Sequence, residues 1–191
     1  MPLHNPRRNM QPAEHPTAPE AEHIFLSRAD VERLIEDNSI DSRVDVVKKI
    51  SQKYIDGQFT DSELQYAEQI FRLLVRDTEM RVRKTLAQHL REAETMPRDI
   101  IIALANDREP VAVPIIEASN VLSDADLIRI IEHSHEVGKI EAVAGRASVS
   151  ERVSHSLIET HYPQVVSRLL NNEQARINGK DYDTILTDHA S

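Results

Sequence analysis

The chain has 191 residues, of which 40% are hydrophobic, 4% are aromatic and none is cysteine, and its net charge at pH 7 is −9. The lack of cysteine excludes disulfides, thiolate zinc sites and cysteine nucleophiles, and the acidic charge argues against binding to nucleic acid or to anionic membranes. A composition poor in glycine and aromatic residues, and rich in Leu, Ile, Ala, Glu and Arg, favours helices over sheets.

Residues 1–23 are polar and contain five prolines, with few apolar side chains to bury. We therefore predict a disordered N-terminal tail over this range. The tail has no apolar core of the kind found in secretory signals. No later stretch approaches the roughly 20 apolar residues that span a bilayer. We expect a cytoplasmic protein that does not enter the membrane.

Helix starts recur along residues 24–177, the predicted repeat domain. Most are a Ser or Thr followed three residues later by an acid, which marks a helix N-terminus, and one is a proline at a first helical position. The five starts are Ser27, Thr60, Pro97, Ser123 and Ser148. They lie 25 to 37 residues apart, about the length of two short helices and two turns.

Each start is followed by one amphipathic helix and then by a second. The clearest second helix spans residues 77–90, and others begin near Asp37, Asp107, Gly138 and Tyr162. Because one pair cannot bury its apolar face alone, we predict an all-α solenoid of about five antiparallel helix pairs. The alternative is an ordinary helical bundle, which predicts no fixed period. Residues 178–191 are predicted to form a polar C-terminal tail that can fold into a short capping helix.

The second helix at residues 77–90 resembles that of a HEAT repeat, with Asp77, the pair Val82-Arg83 and a following Leu-Ala-x-x-Leu. The wider stretch 75–177 resembles an uncharacterised HEAT-like family found mainly in alphaproteobacteria. The residues that carry this wider resemblance are Leu86, Ala87, Leu90, Pro97, Leu104, Ala105, Asp107, Val111, Ala112, Pro114, Ile115, Ile116, Ser119, Leu122, Asp126, Leu127, Arg146, Ser150, Val165, Val166, Leu169, Leu170 and Asn172. The resemblance implies a HEAT-like fold and carries no established activity.

Catalytic and cofactor motifs are missing from the sequence. The four glycines are isolated, so no phosphate-cradling loop is present, and no G-x-S-x-G nucleophile elbow occurs. The tightest histidine group, His133-Ser-His135-Glu136, places two histidines two residues apart, which is poor spacing for one metal on a helix. A solvated helix end is the simpler interpretation. We expect no enzyme, no cofactor and no metal.

The basic strip, defined as residues 72–91, carries six Lys or Arg against Asp77 and Glu79. It could bind an acidic peptide, a phosphorylated segment or a nucleotide, because guanidinium groups pair with oxyanions. The alternative is a solvated helix face with local ion pairs. With later residues on second helices or at their ends, the candidate partner-binding set is Arg81, Arg83, Lys84, Asn120, Arg146, Arg168 and Asn172. Bonds between repeats, or caps, are the competing explanation for that set.

These features lead us to expect a protein-interaction scaffold that binds a protein partner, with a role in bacterial signalling. A sensor of anionic ligands that uses the basic strip is the alternative, and a HEAT-like nucleic-acid-binding enzyme is a third hypothesis. Residues 163–177 hold several apolar side chains that require a cap. The C-terminal tail or a second subunit, in a homodimer, could supply it.

Overall fold

A computed structural model describes residues 39–188, which fold into ten α-helices. The helices are α1 (Ile40–Ile55), α2 (Asp61–Leu74), α3 (Met80–Leu90), α4 (Arg98–Ala105), α5 (Glu109–Ala118), α6 (Asp124–His133), α7 (Val137–Ala144), α8 (Glu151–Ile158), α9 (Pro163–Leu170) and α10 (Gly179–Asp188). No β-strand occurs in this range, apart from an isolated bridge between Val149 and Ala175. The prediction of an all-α fold is confirmed for these residues. The tail at 1–23 and the start at Ser27 lie outside them.

Two of the predicted helix starts form complete capping boxes. The hydroxyl of Thr60 accepts the amide N–H of Glu63, and the Glu63 carboxylate accepts the amide N–H of Thr60 at 2.9 Å. Ser123 and Asp126 make the same reciprocal pair at the start of α6. Each box satisfies two backbone donors that the helix leaves unpaired, which is why these starts can be read from the sequence.

Two other starts differ from their predicted positions. Pro97 has non-helical backbone angles (φ −53°, ψ 131°) and is the N-cap of α4, so the helix begins one residue later, at Arg98. The N-cap of α8 is Ser150, not Ser148. The cause is a distant contact, because Val149 is extended and its carbonyl accepts the amide N–H of Arg176 at 2.9 Å.

Gly57 ends α1. Its φ of +64° is in the left-handed region that glycine tolerates best. The amide N–H of Gly57 donates to the carbonyl of Tyr54, and that of Gln58 donates to the carbonyl of Lys53. These two bonds form a Schellman-type C-cap, which turns the chain back toward α1.

The helices pack in two alternating sets. The odd row consists of α1, α3, α5, α7 and α9, and each of these helices packs against the next one in the row. The even row consists of α2, α4, α6, α8 and α10. Each of the first four packs against the odd-row helix that follows it in the chain, and α8 also packs against α6 and α10.

The core is one hydrophobic cluster with buried side chains from all ten helices of the described range. Near its start, Tyr54 and Phe71 make an edge-to-face contact with ring centroids 5.5 Å apart. At the other end, Val165, Val166 and Leu169 are buried. The helix α10 packs on α8 and buries Ile185, so the C-terminal segment contributes to closing this end. No helix among residues 39–188 is long and apolar enough to cross a membrane.

Candidate partner-binding surface

Arg83, a predicted binding residue, forms a two-pronged ion pair with Asp107 between α3 and the start of α5. Its Nε lies 2.5 Å from Oδ2 of Asp107 and its Nη2 lies 3.0 Å from Oδ1. Its Nη1 donates to the carbonyl of Asp77 at 2.6 Å. Although burial raises the pKa of Asp107, the bonds from Arg83 and from the Arg108 amide hold it below its usual value. The structure therefore uses Arg83 to join two odd-row helices.

A similar tie joins α1 to α3 one step earlier in the odd row. Nε of Arg43 lies 2.8 Å from Oδ2 of Asp77, and both side chains are largely buried. Asp77 also accepts the amide N–H of Glu79 at 2.8 Å. Asp77 and Asp107 thus share one role, in which a carboxylate just before an odd-row helix receives an arginine from the preceding odd-row helix.

Arg146 is buried two residues beyond the end of α7, rather than lying within a helix. Its guanidinium donates to the carbonyl of Ile116 and, at 2.9 Å, to that of Ser119. These carbonyls close the C-terminal end of α5, where a cation offsets the partial negative charge. Burial lowers the pKa of Arg146. The side chain acts as a cap between neighbouring odd-row helices.

Asn172 performs the same task for the next helix. It lies two residues beyond the end of α9, and its Nδ2 donates to the carbonyls of Ala144 and Arg146 at 2.9 and 2.8 Å. These carbonyls are at the C-terminal end of α7. Arg146 and Asn172 are 26 residues apart, so the cap recurs with the helix-pair spacing. The sequence left both residues open as partner-binding candidates or as caps between repeats, and in the structure both donate to helix-end carbonyls as caps.

The other four predicted residues remain accessible. Arg81 pairs with Asp41 at 2.6 Å, but the two side chains are 64% and 77% exposed. Arg168 is also exposed, with Nη2 3.7 Å from a carboxylate oxygen of Glu117. Lys84 and Asn120 are exposed as well. The accessible members of the set are therefore spread over α3, the turn after α5, and α9, and do not form one compact site.

The basic strip is largely paired with carboxylates. Arg72 lies 2.7 Å from Asp99 and 3.6 Å from Glu68, and its hydrogen bond lowers the pKa of Asp99. Arg91 lies 3.1 Å from Glu92. Within residues 39–188, Arg76 and Lys84 are the members of the strip that have no carboxylate partner.

Polar ties also join the even row, and sequence reasoning missed them. Arg98 holds Asp126 through two bonds of 2.7 and 2.6 Å, and with Ser123 it strongly lowers the pKa of that buried carboxyl. Ser150 donates to Asp124 at 2.6 Å. The sequence shows Asp126 only as the acid of the Ser123 cap. Its partner Arg98 is 28 residues away, and Ser150 is 26 residues from Asp124.

A groove of about 530 Å³ lies between the C-terminal ends of α6 and α8 and contains His135 and His155. His155 is tied to Asp181 of α10, with Nδ1 2.8 Å from the carboxylate. His133 instead has its Nδ1 2.9 Å from the carbonyl of Arg129. Among the described residues, no three His, Asp or Glu side chains are grouped closely enough to hold a metal ion.

A second cavity, called here the lysine cavity, has a volume of about 500 Å³ and lies at the C-terminal ends of α1 and α3. Three lysines line it: Lys48, Lys49 and Lys53. The remaining lining residues are Gln52, Asp56, Gln58 and His89. Sequence reasoning missed this cavity, because His89 comes from a different helix and Gln58 from a turn. The local signal was the run Lys48-Lys49-x-x-x-Lys53.

Residues 111–191, less than half of the chain, match a family described as "Uncharacterised protein conserved in bacteria (DUF2336)". The match supports the expected resemblance to an uncharacterised bacterial family. It includes Asn120, Arg146, Arg168 and Asn172, and leaves out the basic strip and the lysine cavity. No curated protein and no solved structure matches the chain.

Proposed function

We propose that this protein is a non-catalytic bacterial adaptor, built as a HEAT-like α-solenoid of about five antiparallel helix pairs, that binds a protein partner. The observation that carries this proposal is the serial packing of the odd row, in which α1, α3, α5, α7 and α9 each contact the next helix. In a solenoid, repeats contact their neighbours, and the stack leaves an extended surface for docking.

The recurring polar ties support the repeat interpretation. Arg43 pairs with Asp77, and Arg83 pairs with Asp107, at equivalent places in successive steps. Arg146 and Asn172 repeat a cap at the C-terminal ends of α5 and α7. A closed bundle gives no reason for the same kind of polar contact to recur between successive helices. We also propose that the protein belongs to the alphaproteobacterial HEAT-like family and has a role in bacterial signalling.

The exposed cations of α3, Arg81 and Lys84, are the best candidates for contact with an acidic partner surface. The test is affinity purification from the native bacterium, with proteins identified by mass spectrometry. Lys84→Glu reverses one charge on the exposed face of α3. The matched control, Arg152→Glu, makes the same charge change on the exposed face of α8. We expect a partner that wild type and Arg152→Glu retain and Lys84→Glu loses. Equal recovery by both variants, or no enriched protein at all, would contradict the proposal.

An anion sensor that uses the basic strip is the second candidate. Its support is the exposure of Arg76 and Lys84, neither of which pairs with a carboxylate among the described residues. Its weakness is that Arg72, Arg81 and Arg83 are already paired. Calorimetry with cyclic dinucleotides and phosphorylated peptides should give smaller heats for Arg76→Ala than for wild type. Equal heats would eliminate the basic strip as the binding site.

A mobility shift at low salt tests the third candidate, a nucleic-acid-binding enzyme.

A further inference from the structure

We propose that the groove between the C-terminal ends of α6 and α8, called here the α6–α8 groove, binds an arginine side chain from a peptide segment of a protein partner. This inference rests on the proposed adaptor function, because it names the chemistry of one contact that the partner makes. The groove has a volume of about 530 Å³, within the range of roughly 300–1,000 Å³ that small-molecule sites occupy. Its lining lies within residues 111–191, the part of the chain that matches the bacterial family.

The charged side chains of the groove favour a cation. Glu132 and Glu159 line it and are exposed, and neither carboxylate has an ion-pair partner among residues 39–188. No lysine or arginine of that range lines the groove. The two carboxylates are therefore available to a ligand, unlike Asp77 and Asp107, which arginines of this chain already hold.

The helix ends at the groove add to its negative potential. The C-terminal end of a helix carries roughly half a negative charge, because its last carbonyls have no partner within the helix. At the end of α6, the backbone carbonyls of Ile131 and Glu132 accept no hydrogen bond from the described residues, and both residues line the groove. A cation that enters the groove is therefore attracted by the helix ends as well as by the carboxylates.

Two hydroxyl groups of the groove can only accept hydrogen bonds from a ligand. Ser156 donates its hydroxyl hydrogen to the carbonyl of Arg152 at 3.3 Å, and Thr160 donates to the carbonyl of Leu157 at 2.6 Å. Because a hydroxyl has one hydrogen and two lone pairs, acceptor capacity is what remains. A guanidinium group, with five N–H donors and no acceptor, complements such a lining.

The apolar and aromatic groups of the groove favour an arginine side chain over a metal ion. Buried Ile131 and Ile140 offer apolar surface to the methylene stem. Tyr162 is 40% exposed and offers a ring on which the planar guanidinium can stack. No three His, Asp or Glu side chains of the described range are grouped closely enough to hold a metal ion.

Two histidines also line the groove, and a protonated histidine opposes a cation. The charge of one of them is already balanced, because Nδ1 of His155 lies 2.8 Å from the buried carboxylate of Asp181. The other, His135, is exposed. We therefore place the test at pH 8, where histidine is ordinarily neutral.

The test is an NMR titration of the full chain with ¹³C-labelled isoleucine methyl groups. Ile131 and Ile140 report on the groove, and Ile50, buried in α1, is the internal control. The probe is Nα-acetyl-arginine amide, which presents its side chain as a peptide does. Nα-acetyl-citrulline amide has nearly the same shape without the charge, and free arginine represents a small-molecule ligand.

Two double variants carry the same change in net charge. Glu132→Gln with Glu159→Gln removes the carboxylates of the groove, whereas Glu94→Gln with Glu173→Gln removes two exposed carboxylates outside it. Tyr162→Leu removes the aromatic ring and keeps an apolar side chain. The methyl spectrum of each variant without ligand checks that it folds.

We expect saturable shifts of the Ile131 and Ile140 methyl groups with the arginine probe, and none for Ile50. The dissociation constant should be in the millimolar range, because a single exposed side chain binds weakly. The citrulline probe should bind about fivefold more weakly or worse, and the groove double variant should weaken arginine binding about fivefold. Tyr162→Leu should weaken it about two- to fivefold. The control double variant should change it less than about twofold, since distant exposed charges are screened by salt.

Three results would overturn the proposal: no saturable shift at Ile131 and Ile140, equal affinity for the arginine and citrulline probes, or equal weakening by the two double variants. Tighter binding of free arginine than of the blocked probe would contradict a peptide as the source and indicate a free amino acid. None of these results involves Lys84, so the adaptor function stands or falls separately, by the affinity purification.

Discussion

The pair Arg83–Asp107 should stabilise the fold far more than the pair Arg81–Asp41, although both are short. The side chains of Arg83 and Asp107 are 15% and 12% exposed, whereas those of Arg81 and Asp41 are 64% and 77% exposed. Removing one partner of a buried pair leaves the other charge desolvated and unpaired, which costs roughly 3–5 kcal/mol. An exposed pair contributes about 0.2–1 kcal/mol. Burial, not distance, decides the difference.

The perturbation is Arg83→Met, which keeps an unbranched apolar stem and removes the charged guanidinium, with Arg81→Met as the matched control. The pair is not fully buried, and Arg83 also loses its bond to the Asp77 carbonyl. We therefore expect Arg83→Met to lower the free energy of unfolding by about 2–4 kcal/mol, and Arg81→Met to lower it by less than about 1 kcal/mol.

Urea unfolding followed by circular dichroism measures both values. A double-mutant cycle with Asp107→Asn should recover part of the loss, because the second substitution removes the uncompensated carboxylate. Equal destabilisation by Arg83→Met and Arg81→Met would refute the reasoning. Additive losses in the cycle would show that the two residues do not act as a pair.

Three further predictions concern caps and titrating groups. Gly57→Ala should destabilise the fold by about 1–2 kcal/mol, because its φ of +64° is unfavourable for a residue with a Cβ. The control Gly179→Ala places its Cβ in open space, with nothing within 4 Å, and should leave the urea midpoint unchanged or slightly raised. Since the folded-state pKa of Asp126 is lowered, its contribution is present above about pH 4 and is lost as pH falls through the folded value. Asp126→Asn should therefore show a smaller loss of stability between pH 7 and pH 3, measured by urea unfolding. The pKa of His155 is raised by Asp181, so its contribution is present below about pH 6.5 and is lost as pH rises through the folded value. Hydrogen exchange in α10 should be slower at pH 6 than at pH 8, after correction for intrinsic rates, and His155→Gln should abolish that difference.

Local contacts explain which parts of the fold could be predicted from the sequence. Thr60 and Ser123 cap helices with partners three residues away, so their signatures are complete within four letters. Gly57 is similar, because its bonds close within the same turn. Ser148 failed as a start because the extension of Val149 depends on Arg176, 27 residues later.

The binding residues were harder to predict for the same reason. Arg83 and Arg146 are cationic residues of the kind found on binding surfaces. The partner of Arg83 is 24 residues away, and the two partners of Arg146 are 27 and 30 residues away. Only a fixed register between neighbouring helix pairs reveals that these charges are already used. Lys84 has no such partner among residues 39–188, and it is exposed, as a partner-binding residue must be.

The claim on which this account depends most is that the odd-row helices continue in one direction from α1 to α9. The chain has no cysteine, so Lys48→Cys with Ser167→Cys allows spin labels to be placed on those two helices alone. Four steps at helix spacings of 8–10 Å predict a separation of about 30–40 Å in a double electron–electron resonance measurement. A distance distribution centred below about 20 Å would mean that the ends meet in a closed bundle, and would contradict the account.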